Sequence, residues 1–239
     1  MKSTYNLQQL EAPESLELRV YAQIRQAIMQ GQLQPGERLV LDRLATSLGV
    51  SRVPVTQALK RLETQGFVSN TRRGETVVVE LSAADAFELY TLRIRLQPLA
   101  ARYAAPRIQP EQLAEMENLA EWIAPLSGAE RFAMDRRFHE ALANASGMPR
   151  LAQMCGNLWE LTEVYRAALD TQVHDLNLKI MDNENSSREH DALLAALRQK
   201  DGVAAEAIER AHVVRATKLV FQVIGQSFPI PASEIDDLR

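Results

Sequence analysis

The sequence predicts a mainly α fold in two parts: a small unit of three helices closed by a hairpin, then an all-α helical bundle. Three observations carry that expectation. Apolar residues recur at three-and-four spacing through most of the chain. Strand character is confined to residues 67–80. Charge divides at the same place: residues 17–80 hold nine Lys and Arg against six Asp and Glu, a net of +3, whereas the whole chain stands at −4, so the remainder carries −7. At 239 residues, 46% apolar and 24% charged, the chain has ordinary globular composition and room for two cores.

The elements follow in order. Residues 1–13 are polar, lack periodicity and end in Pro13, which reads as a loose tail; the first domain is expected over 14–80. Leu16, Val20, Ile24, Ala27 and Ile28 share one helical face that runs out near Gly31. QPGE at 34–37 is a turn, and Leu41, Leu44, Ala45 and Leu48 make a short second helix stopped by Gly49. Ser51 is placed as an N-cap, and Pro54 fits because first-turn amides lack partners inside a helix. Val55, Leu59 and Leu62 then continue a buried face, so a third helix is expected over about 52–65, closed by Gly66. FVSN and ETVVVE flank TRRG, two short strands around a basic turn. Three helices and such a hairpin make a winged helix-turn-helix.

Beyond residue 80 no further strand-like segment occurs, and alanine-rich helical periodicity runs to about 225. Helices are expected near 83–105, 110–124, 129–145, 149–171, 174–183, 187–199 and 202–224. Ser82 with Asp85, and Ser127 with Glu130, have capping-box spacing; Pro110 and Glu111 look like a first turn. The second domain is thus expected over 82–224, with a C-terminal tail at 225–239. No internal repeat or low-complexity segment is present.

Several classes are disfavoured. The longest apolar runs, such as VVV at 77–79, fall far short of the roughly 20 residues of a membrane span. The start, MKSTYNLQQLEAPESLE, has no apolar stretch behind a basic head, so no secretory signal is read and a cytoplasmic location is expected. The lone Cys155 excludes an intrachain disulfide or a cysteine-based zinc finger, and reads as a small buried apolar residue. Trp122, Trp159 and Tyr165 read as packing residues.

In a helix-turn-helix the second helix presents its N-terminal residues to base edges. LATSLGVSRVPVTQALKRLETQGFV meets that requirement. Arg52 in the first turn has the planar fork that matches the two acceptors of guanine. Ser51, Thr56 and Gln57 suit phosphates or bases, and Lys60, Arg61, Arg72 and Arg73 suit the duplex backbone. The stretch from 16 to 80 resembles the GntR family of bacterial transcription regulators: Leu44-Ala45, Leu48-Gly49-Val50-Ser51-Arg52, Pro54-Val55, Ala58-Leu59, Leu62, Gly66-Phe67-Val68 and, in the wing, Arg73-Gly74 carry the likeness. The resemblance implies a winged reading head that binds a double-stranded DNA operator, with Gly74 in the wing. Thr56 stands where that family usually has an arginine, so the operator sequence is not transferable.

The chain holds four histidines. Asp135 and His139 are four apart and share a helix face; His190 and His212 lie on two later helices. Spacing alone leaves an aspartate and three unrelated histidines as the simpler reading. The resemblance adds more, because an all-helical body behind a GntR head is similar to the fatty-acid-regulator-type C-terminal domain, or FCD domain. Many such domains bind a metal through an aspartate, a histidine four residues on, and histidines in the penultimate and last helices. Asp135, His139, His190 and His212 fall in the matching places, which implies a divalent metal, zinc first, with nickel, manganese or iron also compatible with the donors. His174 matches no ligand place. Arg93 matches an arginine common in the first helix of such bodies and is implied to touch an effector, although the glutamate usual four residues later is Gln97 here.

The resemblance therefore implies a regulator that dimerises with itself through its helical body and changes operator affinity when a small organic-acid or sugar-acid effector binds near the metal. A metal-dependent enzyme with an accessory winged head is the alternative. Against it, the chain has no GxSxG, no glycine-rich phosphate loop and no HExxH, since Ala143 stands where the second histidine would be needed. A helical scaffold whose head binds protein is a third reading, separable by its lack of salt-dependent DNA affinity.

Overall fold

The computed structural model describes residues 15–80, 82–126, 128–172 and 183–223. The two tails, His174, Ser127 and most of the helix expected at 174–183 lie outside the described residues. The chain divides into two compact units, residues 1–79 and 80–239.

In the first unit α1 (Leu16–Met29) and α2 (Leu41–Leu48) both pack on α3 (Arg52–Thr64), and β1 (Val68–Asn70) pairs antiparallel with β2 (Thr76–Val78). Val20, Ile24 and Ile28 of α1 meet Val55, Ala58 and Leu62 of α3 as a buried core, which is the helical stripe expected from their spacing. Gly49 ends α2 in the left-handed region, at φ 65°, where a side chain is strained. Ser51 occupies the N-cap of α3, but its side chain accepts no capping hydrogen bond. The reason is local: of the two amides a cap hydroxyl usually takes, one belongs to Pro54, which has no N–H. The segment read as a plain turn also does more. Arg38 bridges Val77, and Leu39 N donates to Thr76 O at 2.8 Å, so the wing gains a third short edge.

The second unit is helical among its described residues: α4 (Ala83–Ala104), α5 (Pro110–Ile123), α6 (Gly128–Ala145), α7 (Pro149–Gln172), α8 (Asn183–Arg198) and α9 (Gly202–Val223). The Ser82–Asp85 capping box opens α4, and Pro110 takes the first turn of α5, where Gln109 N donates to Gln112 Oε1 at 3.0 Å. The start of α8 precedes the expected residue 187 by one turn, because the polar stretch Asn183–Ser186 carries no apolar spacing to reveal it. α4 runs along α9 and also touches α6 and α7. Small residues at these crossings, Ala101, Ala104, Ala145 and Ala205, are buried and let helix axes approach closely. Trp159 is buried as expected, but Trp122 is 55% exposed and does not pack in the core. It lies in the last turn of α5, whose inward positions are taken by Met116, Leu119 and Ile123.

Candidate metal centre and nucleic-acid interface

On the first unit, Ser51, Arg52, Thr56, Gln57, Lys60 and Arg61 of the α3 segment and Arg72, Arg73 and Gly74 of the wing are all exposed. Thr56, Lys60, Arg73 and Gly74 line one cleft between α3 and the wing, together with Arg38 and Asn70. Gly74 sits at φ 75°, which lets the tight turn after Arg73 close. Arg52 is paired across the turn: its Nη2 donates to Asp42 Oδ2 at 2.7 Å, and its Nε contacts the other oxygen. Its fork is thus held in a carboxylate at the entrance of α3 while both side chains stay in water. Thr56 Oγ1 donates to its own helix, at Arg52 O, 2.9 Å. Arg61 stacks its guanidinium 4.7 Å over the Tyr21 ring of α1, unlike the cleft-lining Lys60. The motif reading passed over Arg38, which lies outside the helices it considered, and Val53. That valine is 64% exposed in the first turn of α3, an apolar group of the kind that meets a thymine methyl.

In the second unit α6 supplies Asp135 and His139 one turn apart, α8 supplies His190 and α9 supplies His212. All four are buried, and one ligand atom from each lies within 4.8 Å of every other. Around a tetrahedral ion at about 2.0–2.2 Å such atoms sit about 3.3–3.6 Å apart, so side-chain shifts of up to about an ångström separate the cluster from coordination. His190 Nε2 faces Asp135 Oδ1 at 3.5 Å. Neither of those atoms, nor His139 Nε2, has a hydrogen-bond partner. Buried lone pairs without donors are costly, and a cation is what this set of one carboxylate and three imidazoles fits.

Two glutamates outside the four turn the rings. His139 Nδ1 lies 3.0 Å from Glu209 Oε1, and His212 Nδ1 lies 2.7 Å from Glu189 Oε2. With both Nδ1 atoms facing carboxylates, Nε2 is what each ring offers the centre. Arg215 clasps Glu189 through Nε at 2.8 Å and Nη2 at 2.6 Å. Burial pushes Glu189 up, but Arg215 and His212 outweigh it and hold the carboxyl down at about 2. Burial, with His139 and His212 as like neighbours, pushes His190 well below the usual imidazole range. His139 is pulled down by burial yet ends above that range because Glu209 lies against it. Sequence reading missed both glutamates, although Glu209 stands three residues before His212 and so on its face of the helix.

Arg93 is not among the four clustered groups. It is buried in α4, where Nε donates to Gln97 Oε1 at 3.0 Å and Nη1 to Thr162 Oγ1 at 3.2 Å. Gln97 therefore keeps the contact that the absent glutamate would make, without its charge. The guanidinium lies 4.2 Å over the Trp159 ring, and that ring stacks on His139 at 5.2 Å. Arg93 is thus one aromatic ring from the histidine cluster, and burial pulls its pKa down. Arg131, one turn before Asp135, is a further buried cation that the sequence did not single out; its Nη1 donates to Ile123 O at 2.7 Å.

Among the described residues no helix is long and apolar enough to cross a membrane. Residues 16–78 match the family described as bacterial regulatory proteins, gntR family, and residues 88–215 match the FCD domain. The HTH-type transcriptional regulator McbR of Escherichia coli strain K12 is 30% identical over 195 residues, which cover 78% of this chain and 84% of that one. YdhC of Bacillus subtilis strain 168, an uncharacterized HTH-type transcriptional regulator, is 28% identical over 85% of this chain and 90% of its own length. The solved structure of E. coli McbR/YncC superposes with a TM-score of 0.69 at 25% identity, covering 88% of this chain and 98% of that one. These relatives are transcription regulators, not enzymes. A winged head matched from α1 to the wing, followed by a helical body matched over more than half the chain, places the protein in the GntR family of bacterial DNA-binding transcription regulators, with an FCD domain.

Proposed function

We propose that this regulator is metabolite-responsive: a cytoplasmic homodimer that sets two winged heads on a short inverted-repeat operator and alters its grip when a small carboxylate enters the helical body. Four buried ligand atoms within 4.8 Å, three of them without a hydrogen-bond partner, carry this reading. Asp135, His139, His190 and His212 would hold a divalent metal, zinc by the donor set. When bound, the metal supplies a Lewis-acidic position for an oxygen of an organic acid or sugar acid. Arg93 supports the anionic choice as a buried positive charge whose hydrogen-bond partners, Gln97 and Thr162, are both neutral, with Glu209 and Asp135 acting on it only at longer range. On the head, Arg52 would read a guanine edge after exchanging Asp42 for the base; Ser51, Thr56, Gln57, Lys60, Arg61, Arg72 and Arg73 would hold phosphates or flank the read base, with Gly74 shaping the wing. Two-fold symmetry of the protein would be mirrored in the operator.

The coupling between sites has to reach only about 1–3 kcal/mol, a roughly 5- to 150-fold change in operator affinity. A panel of genomic duplexes titrated at several salt concentrations, with zinc and candidate acids present or absent, tests it. Arg52→Ala is expected to lose about 1–3 kcal/mol of discrimination for the chosen duplex. His190→Ala is expected to lower zinc content and abolish the response to acids while DNA binding persists. Operator affinity that ignores every acid in zinc-loaded protein would overturn the proposal, as would unchanged zinc content in the His190 variant.

A further inference from the structure

Among the described residues two carboxylates are buried, Asp135 and Glu209, and only Asp135 belongs to the four-residue cluster. Glu209 lies on α9 one turn ahead of His212 and is 1% exposed. Its Oε1 lies 3.0 Å from His139 Nδ1 as a buried ion-pair contact, and neither carboxylate oxygen nor that nitrogen has a hydrogen-bond partner of regular geometry. A carboxylate taken out of water is expensive to keep without a donor, so the imidazole N–H is the group that accounts for its place.

We infer that Glu209 is a positioning residue of the metal centre: by facing His139 Nδ1 it holds the proton on that nitrogen, fixing the tautomer whose bare Nε2 faces the cluster, and its charge, clasped by no guanidinium, makes that nitrogen the strongest imidazole donor of the three. The inference rests on the metal reading above. Carboxylates behind ligating histidines orient the ring and raise its basicity, and their loss typically weakens metal binding about 10- to 100-fold. Glu189 stands behind His212 in the same way, but it is only half-buried and shares both oxygens with Arg215. Most of its charge is answered by the guanidinium, whereas Glu209 touches His139 and feels His212 and Arg93 only through longer-range attraction.

Zinc titration of the full chain against a competing chelator tests this. Glu209→Gln, which keeps shape and an acceptor oxygen but removes the charge, is expected to weaken zinc binding at least about tenfold. Glu189→Gln should cost less. In a His139→Ala background Glu209→Gln should cost nothing further, because no ring remains to position; a purely structural role would cost the same in both backgrounds. Nitrogen-15 NMR of the metal-free chain adds a readout independent of loading, with the His139 proton expected on Nδ1, and Glu209→Leu shifting the population toward the Nε2–H form. Equal zinc affinity of the chain and its Glu209→Gln variant, or a His139 proton on Nε2 in the unsubstituted chain, would overturn the inference alone. A chain that takes up no zinc, nickel or manganese would instead remove the metal reading on which it stands.

Discussion

Cys155 shows how burial sets the chemistry of one side chain. It packs with Ala100, Ala143 and Leu151, and burial first, then the negative charge of Glu209, pushes its thiol up to about 12. The thiolate is the nucleophile, so folded protein at pH 8 is expected to resist thiol reagents that label the denatured chain within minutes; rapid labelling of folded protein would contradict the packing. The folded value lies above the ordinary 9.0, so the stability it contributes is whole below about 9 and is lost as pH rises toward 12. Tyr165, also pushed up to about 12 by burial, acts in the same direction. The denaturant midpoint should therefore fall between pH 8 and pH 10, and fall less in Cys155→Ala. Arg52 and Trp122 mark the limit of residue-level reading. Their types were plain in the sequence, but the bond from Arg52 to Asp42 and the exposure of Trp122 depend on which neighbouring positions turn inward.

Between elements the α4–α9 seam includes a close approach that one substitution tests. Gly202 opens α9 against the end of α4, where an added Cβ would lie 2.5 Å from the backbone carbonyl oxygen of Arg102. That oxygen cannot swing aside as a side chain could. Gly202→Ala is thus expected to destabilise by about 1–3 kcal/mol, the usual cost of overpacking, despite alanine's higher helix propensity. A denaturant midpoint that rises would show that the helices part without cost. Local rules served most elements well: the Ser82–Asp85 box, Pro110 in a first turn and Gly49 past a last turn are signals within four residues of the boundary they mark. They failed where the signal was absent or non-local. α8 begins in a polar run, and the Arg38 bridge to Val77 joins segments some forty residues apart.

At the scale of the molecule, one chain carries two units with separate cores. Both tryptophans, Trp122 and Trp159, belong to the helical unit, so their fluorescence reports that unit alone. Ligand bound to the native state alone stabilises it by about 2.7 kcal/mol at a hundred times its dissociation constant. If Asp135 and the three histidines hold a metal as proposed, chelation is expected to lower the tryptophan-detected melting temperature of the full chain, and zinc to restore it; a transition indifferent to chelator would count against a metal built into the body. By itself the sequence determined the mainly α class, the winged head and the residue types at both sites. Helical spacing, caps and the turn around Arg52 are encoded within a few neighbouring residues, where backbone geometry alone relates them. Only the tertiary structure decided that Asp135, His139, His190 and His212 meet within 4.8 Å, and that Glu209 and Glu189 stand behind two of the rings. Those distances are fixed by how three helices cross, which depends on the packing of Ala101, Phe138 and Leu197 in the shared core and leaves no mark in the local pattern of any one helix.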